Sequence, residues 1–266
     1  MDKYPIQVGS MLYTLVDPSK GREVDYNRWY ERDHFYAGCM VGPWLFAGRR
    51  WVATRRLKDL RFPADSPVAV PADAGSYLAV YWVLEGKHGD HFSWAIDQVQ
   101  WLYANDRGFL DREHVHTVLF DYEGTVYRDD DPVPVELALD HDYKGLVSVF
   151  IDRDDGVDGS SYSEWLADGP LADLLADSPI AMASTWSPIG RDDGVTDQAP
   201  MALGSPPGGE ERSLQQFFVE SDPEECWDAF VDYGKALETD GRAKVALAAP
   251  FIPTVVGTDT YTDELW

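Results

Sequence analysis

The amino-acid sequence predicts an α+β fold built from two units, each with the element order βαββαβ. Strand-like and helix-like apolar periods alternate along the chain, and the same order of periods returns in the second half. Aromatic residues recur as well. A constant offset of 136 residues brings together four identical pairs: Tyr26 with Tyr162, Trp29 with Trp165, Pro43 with Pro179, and Ala47 with Ala183. The sequence therefore predicts a tandem duplication.

The first unit begins with a strand and ends with one. Asp25 is the expected N-cap of its first helix, and Gly42-Pro43 breaks that helix before the next strand. The second helix carries an apolar stripe that must face a core. The predicted elements are, in order, strand 6–16, helix 25–40, strands 45–54 and 76–85, helix 90–104 and strand 114–122.

The second unit repeats that order after an acidic, proline-bearing linker. Its predicted elements are strand 145–152, helix 161–176, strands 180–187 and 213–220, helix 223–239 and strand 244–256. The chain divides into an N-terminal half (1–127), the linker (128–143) and a C-terminal half (144–266). In each half an irregular connection follows the second strand, at 57–75 and at 190–212. Each predicted sheet has helices on one face only, so the two bare faces are expected to pack together around a barrel-like core.

Composition narrows the class of protein. The chain has 266 residues, of which 44% are hydrophobic and 13% aromatic, enough for a sizeable core. A formal charge of −25 argues against nucleic acid as a partner. No signal-peptide pattern and no bilayer-length apolar stretch appear, so we expect a cytoplasmic protein that does not bind membranes. Cys39 and Cys226 lie in different halves without metal-ligand spacing and are expected to be buried thiols.

One motif resembles a known family. The run YNRWYxxxH at 26–34, followed by Pro43 and by FAGRRW at 46–51, resembles the EthD-like branch of the dimeric α+β barrel superfamily, although the turn reads Gly-Pro where Pro-Gly is commoner. The resemblance implies two ferredoxin-like units that form a pseudo-dimeric barrel within one chain. The superfamily includes polyketide cyclases, cofactor-independent monooxygenases, haem-degrading and dye-decolourising enzymes, and muconolactone isomerase-like proteins.

The titratable groups are concentrated in the first half, because all six histidines precede residue 145. We therefore expect the chemistry in the first half, with the second half acting mainly as lid and structural mate. At the constant offset, and with Val115 aligned to Val245 in the last strand, the polar residues of the first half fall on others: His34 on Pro170, Arg49 on Thr185, Arg50 on Trp186, His114 on Lys244 and His116 on Ala246.

His34 is the first candidate catalytic residue. It follows Tyr30 by four positions, so the two share a helical face and are placed to hydrogen-bond across a turn. Imidazole titrates near neutrality, which suits a general acid or base. The alternative is a histidine that caps the end of the helix.

His114 and His116 are further candidates. Two residues apart on a strand, they are expected to share one face with Val118 and Phe120. They are either catalytic or hydrogen-bonded core histidines. No carboxylate or cysteine motif completes a metal site around them, so we expect neither metal nor cofactor. His88 and His91, in the turn before a helix, are expected to be solvated or capping.

Residues 49–61 hold six basic residues, a local reversal of sign in an acidic protein. Arg49 and Arg50 must face opposite sides of their strand, so one of them is placed to hold a carboxylate, enolate or phenolate. The alternative is pairing with surface acids. Core aromatic residues in reach of the same cavity give the candidate substrate contacts: Trp29, Trp51 and Tyr81.

The leading hypothesis is a lyase, isomerase or cyclase without cofactor. It would bind an aromatic or polycyclic hydrophobic molecule and move protons with His34, aided by Tyr30 and an arginine. One alternative is an oxygenase or haem-binding member of the superfamily with a histidine ligand. Another is a non-catalytic ligand-binding protein. Helix 90–104 also carries Trp94 and Trp101 away from its apolar stripe, which indicates a homo-oligomer contact or burial beneath a long connection.

Overall fold

Strands and helices lie close to their predicted positions. The computed structural model describes residues 4–191 and 198–266; residues 192–197, part of the predicted connection 190–212, lie outside the described residues. The strands are β1 (Val8–Pro18), β2 (Leu45–Val52), β3 (Tyr77–Leu84), β4 (Arg112–Tyr127), β5 (Gly145–Arg153), β6 (Ile180–Pro188), β7 (Arg212–Val219) and β8 (Ala243–Pro253). The α-helices are α1 (Glu23–Trp29), α2 (Arg55–Lys58), α3 (His88–Ala104), α4 (Gly159–Leu166), α5 (Ala172–Leu175) and α6 (Trp227–Asp240).

The strands close into an antiparallel barrel in the order β1-β3-β2-β8-β5-β7-β6-β4. Each half contributes four neighbouring strands. The two sheets join where β2 pairs with β8, through Trp51 and Val52, and where β4 pairs with β6. This arrangement confirms the predicted α+β fold class of two βαββαβ units that form one barrel within the chain.

Large aromatic side chains from both halves fill the barrel. Side chains alternate between the two faces of a strand, so every second residue points inward. Tyr13 packs its ring against Phe150 at 5.5 Å between centroids, and Trp82 packs against Trp186 at 5.8 Å. Burial of each such side chain stabilises the fold by roughly 1.5–3 kcal/mol, so these contacts hold the two sheets together.

Two pairs of β-bulges occur at matching places in the two halves. In β4 the extra residue is Val115, between His114 and His116; in β8 it is Ala246, between Val245 and Leu247. The second pair of bulges falls at Phe46 in β2 and Ala181 in β6.

The bulges correct the predicted residue correspondences by one position. Trp51 corresponds to Trp186, and Arg50 therefore to Thr185 instead of Trp186. His114 corresponds to Val245, instead of Lys244. A constant offset cannot follow these strands, because the loop lengths around them differ.

The first helix differs from its prediction in two ways. It begins at Glu23, so Asp25 lies in the first turn and pairs with Arg22 instead of capping the helix. Beyond Trp29 the helix continues as a π-helical segment, Tyr30–Met40. The matching part of the second half, Ala167–Leu171, is also π-helical and contains Pro170. Wider helical turns of this kind are rare and are frequent at functional sites.

The linker and the irregular connections close the molecule. Linker residues Leu139 and Tyr143 are buried in the core of the barrel. The connection after β2 pairs Phe62 with Ala248 of the second half. The connection after β6 crosses the other way, and the Leu203 carbonyl accepts a hydrogen bond from the Thr117 amide at 2.9 Å. Each half is therefore partly covered by the other.

Candidate functional site

A cavity of about 160 Å³ lies in the first half, between the outer face of its sheet and the helices. We call it the first-half cavity. Most of its lining is apolar, with a few polar groups from α1's π-helical extension and from β4. Its main lining residues are Leu12, Thr14, Val16, Tyr30, His34, Gly38, Cys39, Phe92, Ala95, Ile96, Val99, Arg112, His114, Thr117, Leu119, Met201 and Leu203.

His34 lies in the π-helical segment and lines this cavity. Its ring stacks on Trp29 at 4.5 Å between centroids and meets the edge of Tyr30 at 5.2 Å. Gly38 makes room for it, because a Cβ at that position would come within 2.8 Å of Nδ1 of His34. No hydrogen bond joins either ring nitrogen to another of the described residues, so both nitrogens are available to hydrogen-bond a ligand.

Burial lowers the pKa of His34 to about 3, and the nearby positive charge of Arg112 adds to the effect. The imidazole is therefore neutral at physiological pH and able to accept a proton. The predicted hydrogen bond from Tyr30 is absent. The Tyr30 hydroxyl bonds the hydroxyl of Tyr81 at 2.9 Å instead, because the sheet beneath the helix offers the closer partner.

The hydroxyl groups of Tyr30 and Tyr81 are protonated and lie beside the cavity. Burial raises the pKa of both hydroxyls well above the ordinary value. Burial also raises the pKa of the Cys39 thiol to about 12. These groups are hydrogen-bond donors at neutral pH and do not act as anions.

The bulge at Val115 separates the two strand histidines, which contradicts their predicted placement on one face. His114 faces the first-half cavity, whereas His116 faces the barrel with Phe120. The His116 ring meets the edge of Phe150 at 5.1 Å, and its Nδ1 hydrogen-bonds the Ser205 hydroxyl at 2.7 Å. The extra residue reverses the alternation between them, so only His114 reaches the cavity.

A hydrogen-bond chain fixes the tautomer of His114. Nε of Arg112 donates to its Nε2 at 3.3 Å, so Nε2 carries no proton. Nδ1 then donates to the Thr117 hydroxyl at 2.6 Å, which meets the Thr14 hydroxyl at 2.8 Å. Burial and the charge of Arg112 lower the pKa of His114 to about 3. His114 is thus a fixed neutral group of the cavity wall.

Arg112 is a site residue that the sequence reasoning missed. Its guanidinium lies 4.7 Å from the centroid of the Trp29 ring, and it makes no ion pair with a carboxylate of the described residues. It also donates to the hydroxyl of Tyr103 at 2.7 Å. Its place two residues before His114, at the start of a strand, was the available signal. A cation without a counter-ion beside an apolar cavity favours an anion there.

Neither predicted arginine lines the cavity. Arg50 lies beneath α1, 5% exposed, where it donates to Asn27 at 2.9 Å and to Glu31 at 3.2 Å. Arg49 faces the opposite side, stacks on Trp51 at 4.6 Å and donates to the linker carbonyl of His141. The two arginines face opposite sides of the strand, as predicted, but each makes its hydrogen bonds to other residues of the protein.

His91 also differs from its prediction. It is 2% exposed, lines the first-half cavity and donates from Nδ1 to the Pro43 carbonyl at 2.7 Å. His88 bonds the Ser10 hydroxyl at 2.9 Å. His91 thus ties the turn at Pro43 to α3 and is not solvated.

The second half lacks the polar lining groups of the first-half cavity. Where the first half has polar lining groups, the second has apolar side chains of one packed cluster. Strand pairing matches Thr14 with Val149, Arg112 with Ala243, His114 with Val245 and Thr117 with Ala248, and in the helices the offset of 136 residues matches Tyr30 with Leu166 and Cys39 with Leu175. His34 itself corresponds to Pro170.

No group of three or more histidine, cysteine or acidic side chains suited to a metal ion occurs among the described residues. Within the same ranges, no helix has the length and apolar character needed to cross a membrane.

No protein-family model matches this sequence, and no curated protein matches it either. Solved structures do resemble its fold. A putative chlorite dismutase aligns with a TM-score of 0.54 at 9% identity, covering 98% of this chain and 100% of that one. An anthrone oxidase-like protein aligns with a TM-score of 0.53 at 8% identity, over 95% of each chain. A dye-decolorizing peroxidase from Bacteroides thetaiotaomicron aligns with a TM-score of 0.52 at 10% identity, covering 95% of this chain and 96% of that one.

These similarities are at the level of the fold. They define the chain as a protein with the dimeric α+β barrel fold, with both halves of the barrel in one polypeptide.

Proposed function

We propose that this chain is an enzyme that oxidises a small enolisable aromatic substrate with molecular oxygen, and that His34 takes the proton that starts the reaction. The observation that carries the proposal is the contrast between the halves. Six polar positions around the first-half cavity have apolar counterparts in the second half, and these counterparts pack together in one core cluster. A fold that needed only stability would have no reason to keep the first set.

The size and lining of the cavity favour a flat apolar molecule. A cavity of roughly 150 Å³ lined by apolar side chains accepts benzene, and this one is of that order. Phe92, Ile96 and Leu119 offer apolar contacts, and polar groups are a minority of the lining. An aromatic substrate of one or two fused rings, with one acidic hydrogen, fits that distribution.

Proton abstraction is assigned to Nε2 of His34, since Nδ1 lies against Gly38. The neutral imidazole is ready to accept a proton at physiological pH. Its low pKa makes the empty site a weak base, so transfer depends on the new anion remaining beside it. In a site of low dielectric that attraction is strong, and Arg112 stabilises the same anion.

Oxygen then completes the reaction without a cofactor. The carbanion form of a substrate methylene gives electrons to O₂ and forms a carbon–oxygen bond. Loss of water from the resulting hydroperoxide leaves a carbonyl group. One O₂ is consumed, one oxygen atom stays in the product, and the other leaves as water with the two methylene hydrogens. The likeness to a structure named anthrone oxidase-like supports this class of substrate.

Haem is the cofactor of the alternative that the sequence left open, an oxygenase or haem-binding protein. The donor type is suitable, because neutral histidines such as His34 and His114 are common axial ligands. The space is not: pockets for drug-sized ligands have about 300 Å³ or more, and a haem is at least that large, whereas the first-half cavity has about 160 Å³. The first-half cavity as arranged does not fit haem, and we derive no step through it.

The proposal is tested by oxygen uptake and product analysis with the purified chain and a panel of one- and two-ring aromatic ketones that carry an acidic methylene group. We expect His34→Ala to lower turnover by roughly two to four orders of magnitude, the usual contribution of one general acid or base. Pro170→Ala, the matched change in the second half, should leave turnover unchanged.

Other outcomes decide between the alternatives. Conversion of substrate without oxygen uptake would favour a lyase, isomerase or cyclase that uses the same proton transfer. Tight binding without any conversion would favour a ligand-binding protein. Full activity of a folded His34→Ala variant would remove His34 from the mechanism.

We also infer that the two halves arose by duplication and that the first belongs near the EthD-like branch. Matching bulges at Val115 and Ala246, and at Phe46 and Ala181, support a common origin, because a bulge is a specific local irregularity. An experimental structure in which these bulges do not superpose would contradict the inference.

A further inference from the structure

Part of the lining of the first-half cavity comes from the second half of the chain. After β6 the chain crosses to the first half, where Met201 and Leu203 line the cavity beside β4. The Leu203 carbonyl accepts from the Thr117 amide at 2.9 Å, and the Ser205 amide donates to the Val115 carbonyl at 2.9 Å. Two backbone hydrogen bonds thus fix the position of Leu203 relative to β4.

The same place in the other half is occupied by an aromatic residue. Thr117 corresponds to Ala248, and the Ala248 amide donates to the Phe62 carbonyl at 2.7 Å. Phe62 therefore stands in the second half where Leu203 stands in the first.

The Phe62 ring fills the space that it covers. It meets Trp227 at 5.7 Å between centroids, and a Cβ on Gly234 of α6 would come within 3.1 Å of it. Leucine is smaller than phenylalanine and reaches less far between sheet and helix. At this crossing the second half carries the larger side chain, packed against α6, and the first half carries the smaller one, which lines a cavity.

We propose that Leu203 is a specificity-determining residue, whose side chain sets the size of the aromatic ligand that the first-half cavity accepts. The proposal rests on the proposed function only in taking this cavity as the ligand site. It requires no particular reaction. Leu203 is partly exposed and contacts neither His34 nor Arg112 through a hydrogen bond, so a change of its size acts on the available space and leaves the proton-transfer groups in place.

The expected effects have opposite directions for larger and smaller side chains. Leu203→Phe should place a ring in the cavity, as Phe62 does in the other half, and should weaken binding of 1-naphthol by at least tenfold without lowering Tm. Leu203→Ala should enlarge the cavity and shift the preference from 1-naphthol towards three-ring hydroxyaromatic compounds. Phe62→Leu is the matched control and should leave the affinity for 1-naphthol unchanged.

Binding is measured by isothermal titration calorimetry on the full chain, and xenon pressurisation of crystals gives a second reading that needs no substrate. We expect one xenon site in the wild-type cavity and none in Leu203→Phe. Equal affinity of wild type and Leu203→Phe for 1-naphthol, or xenon retained in that variant, would overturn the assignment. If 1-naphthol fails to bind the wild type while xenon is displaced by Leu203→Phe, the size control stands and the proposed substrate class is wrong.

Discussion

Three neutral histidines with strongly lowered pKa values, His34, His114 and His116, should make a large contribution to the acid sensitivity of the protein. Burial lowers the pKa of each to about 3, whereas an unfolded histidine has a pKa of about 6.5. Because the folded pKa is the lower one, the stabilising contribution is fully present above pH 6.5 and is lost as the pH falls towards 3.

The size of the effect follows from proton linkage. Between pH 6.5 and pH 5.0, protonation of one such histidine in the unfolded state lowers the free energy of unfolding by about 1.6 kcal/mol, so the three together lower it by about 5 kcal/mol. Whole domains are stable by about 5–15 kcal/mol, so the loss is large. The paired carboxylates contribute little in this window, because their pKa values lie near or below 4 in both states.

His116→Leu is the variant that isolates one of the three. His116 faces the barrel, where Leu247 occupies the matching place in the second half, so a leucine is compatible with this environment. Loss of the hydrogen bond to Ser205 should cost about 1 kcal/mol at every pH. The drop between pH 6.5 and 5.0 should shrink to about 3 kcal/mol, as two histidines remain.

Urea unfolding at pH 6.5 and pH 5.0, followed by tryptophan fluorescence, measures both drops. An equal drop in wild type and His116→Leu would show that His116 is not a neutral buried group in the folded state. A wild-type stability that does not change between the two pH values would refute the reasoning for all three histidines.

Two further changes test the charges of the first half. Glu31→Gln removes the carboxylate that faces buried Arg50 and should lower the free energy of unfolding by about 3–5 kcal/mol. Asp259→Asn breaks an exposed ion pair and should lower it by less than about 1 kcal/mol. Equal losses of the two variants in chemical denaturation would contradict the burial argument. Arg112→Met keeps an apolar stem against Trp29 but removes the charge, so turnover should fall roughly 10²–10³-fold with Tm little changed, and full turnover in oxygen-uptake assays would exclude Arg112 from anion stabilisation.

Much of the fold was accessible from sequence, because apolar periodicity is a local signal. The strands around Leu45 and Tyr77 and the helix at 90–104 follow from alternation and helical spacing within short windows. The repeated aromatic pair at Tyr26 and Tyr162 then predicted the duplicated element order. The pairing of the two bare sheet faces followed from their need to be buried.

The site was less accessible, because it depends on contacts between distant segments. A bulge at Val115 is decided by the pairing of β4 with β1, and it sends His114 and His116 to opposite faces. Arg50 is held beneath α1 by its ion pair with Glu31. Glu31 belongs to a different element, so no local pattern in the strand of Arg50 indicates this position. Leu203 lines the first-half cavity from the other half of the chain, and no local pattern indicates this contact.

A crystal structure of the full chain with 1-naphthol bound tests the location of the substrate site most directly. We expect the ring between the first sheet and α3, with its hydroxyl oxygen directed towards His34 and Arg112. A ring bound inside the barrel, or against the second half, would contradict the assignment of the first-half cavity as the substrate site.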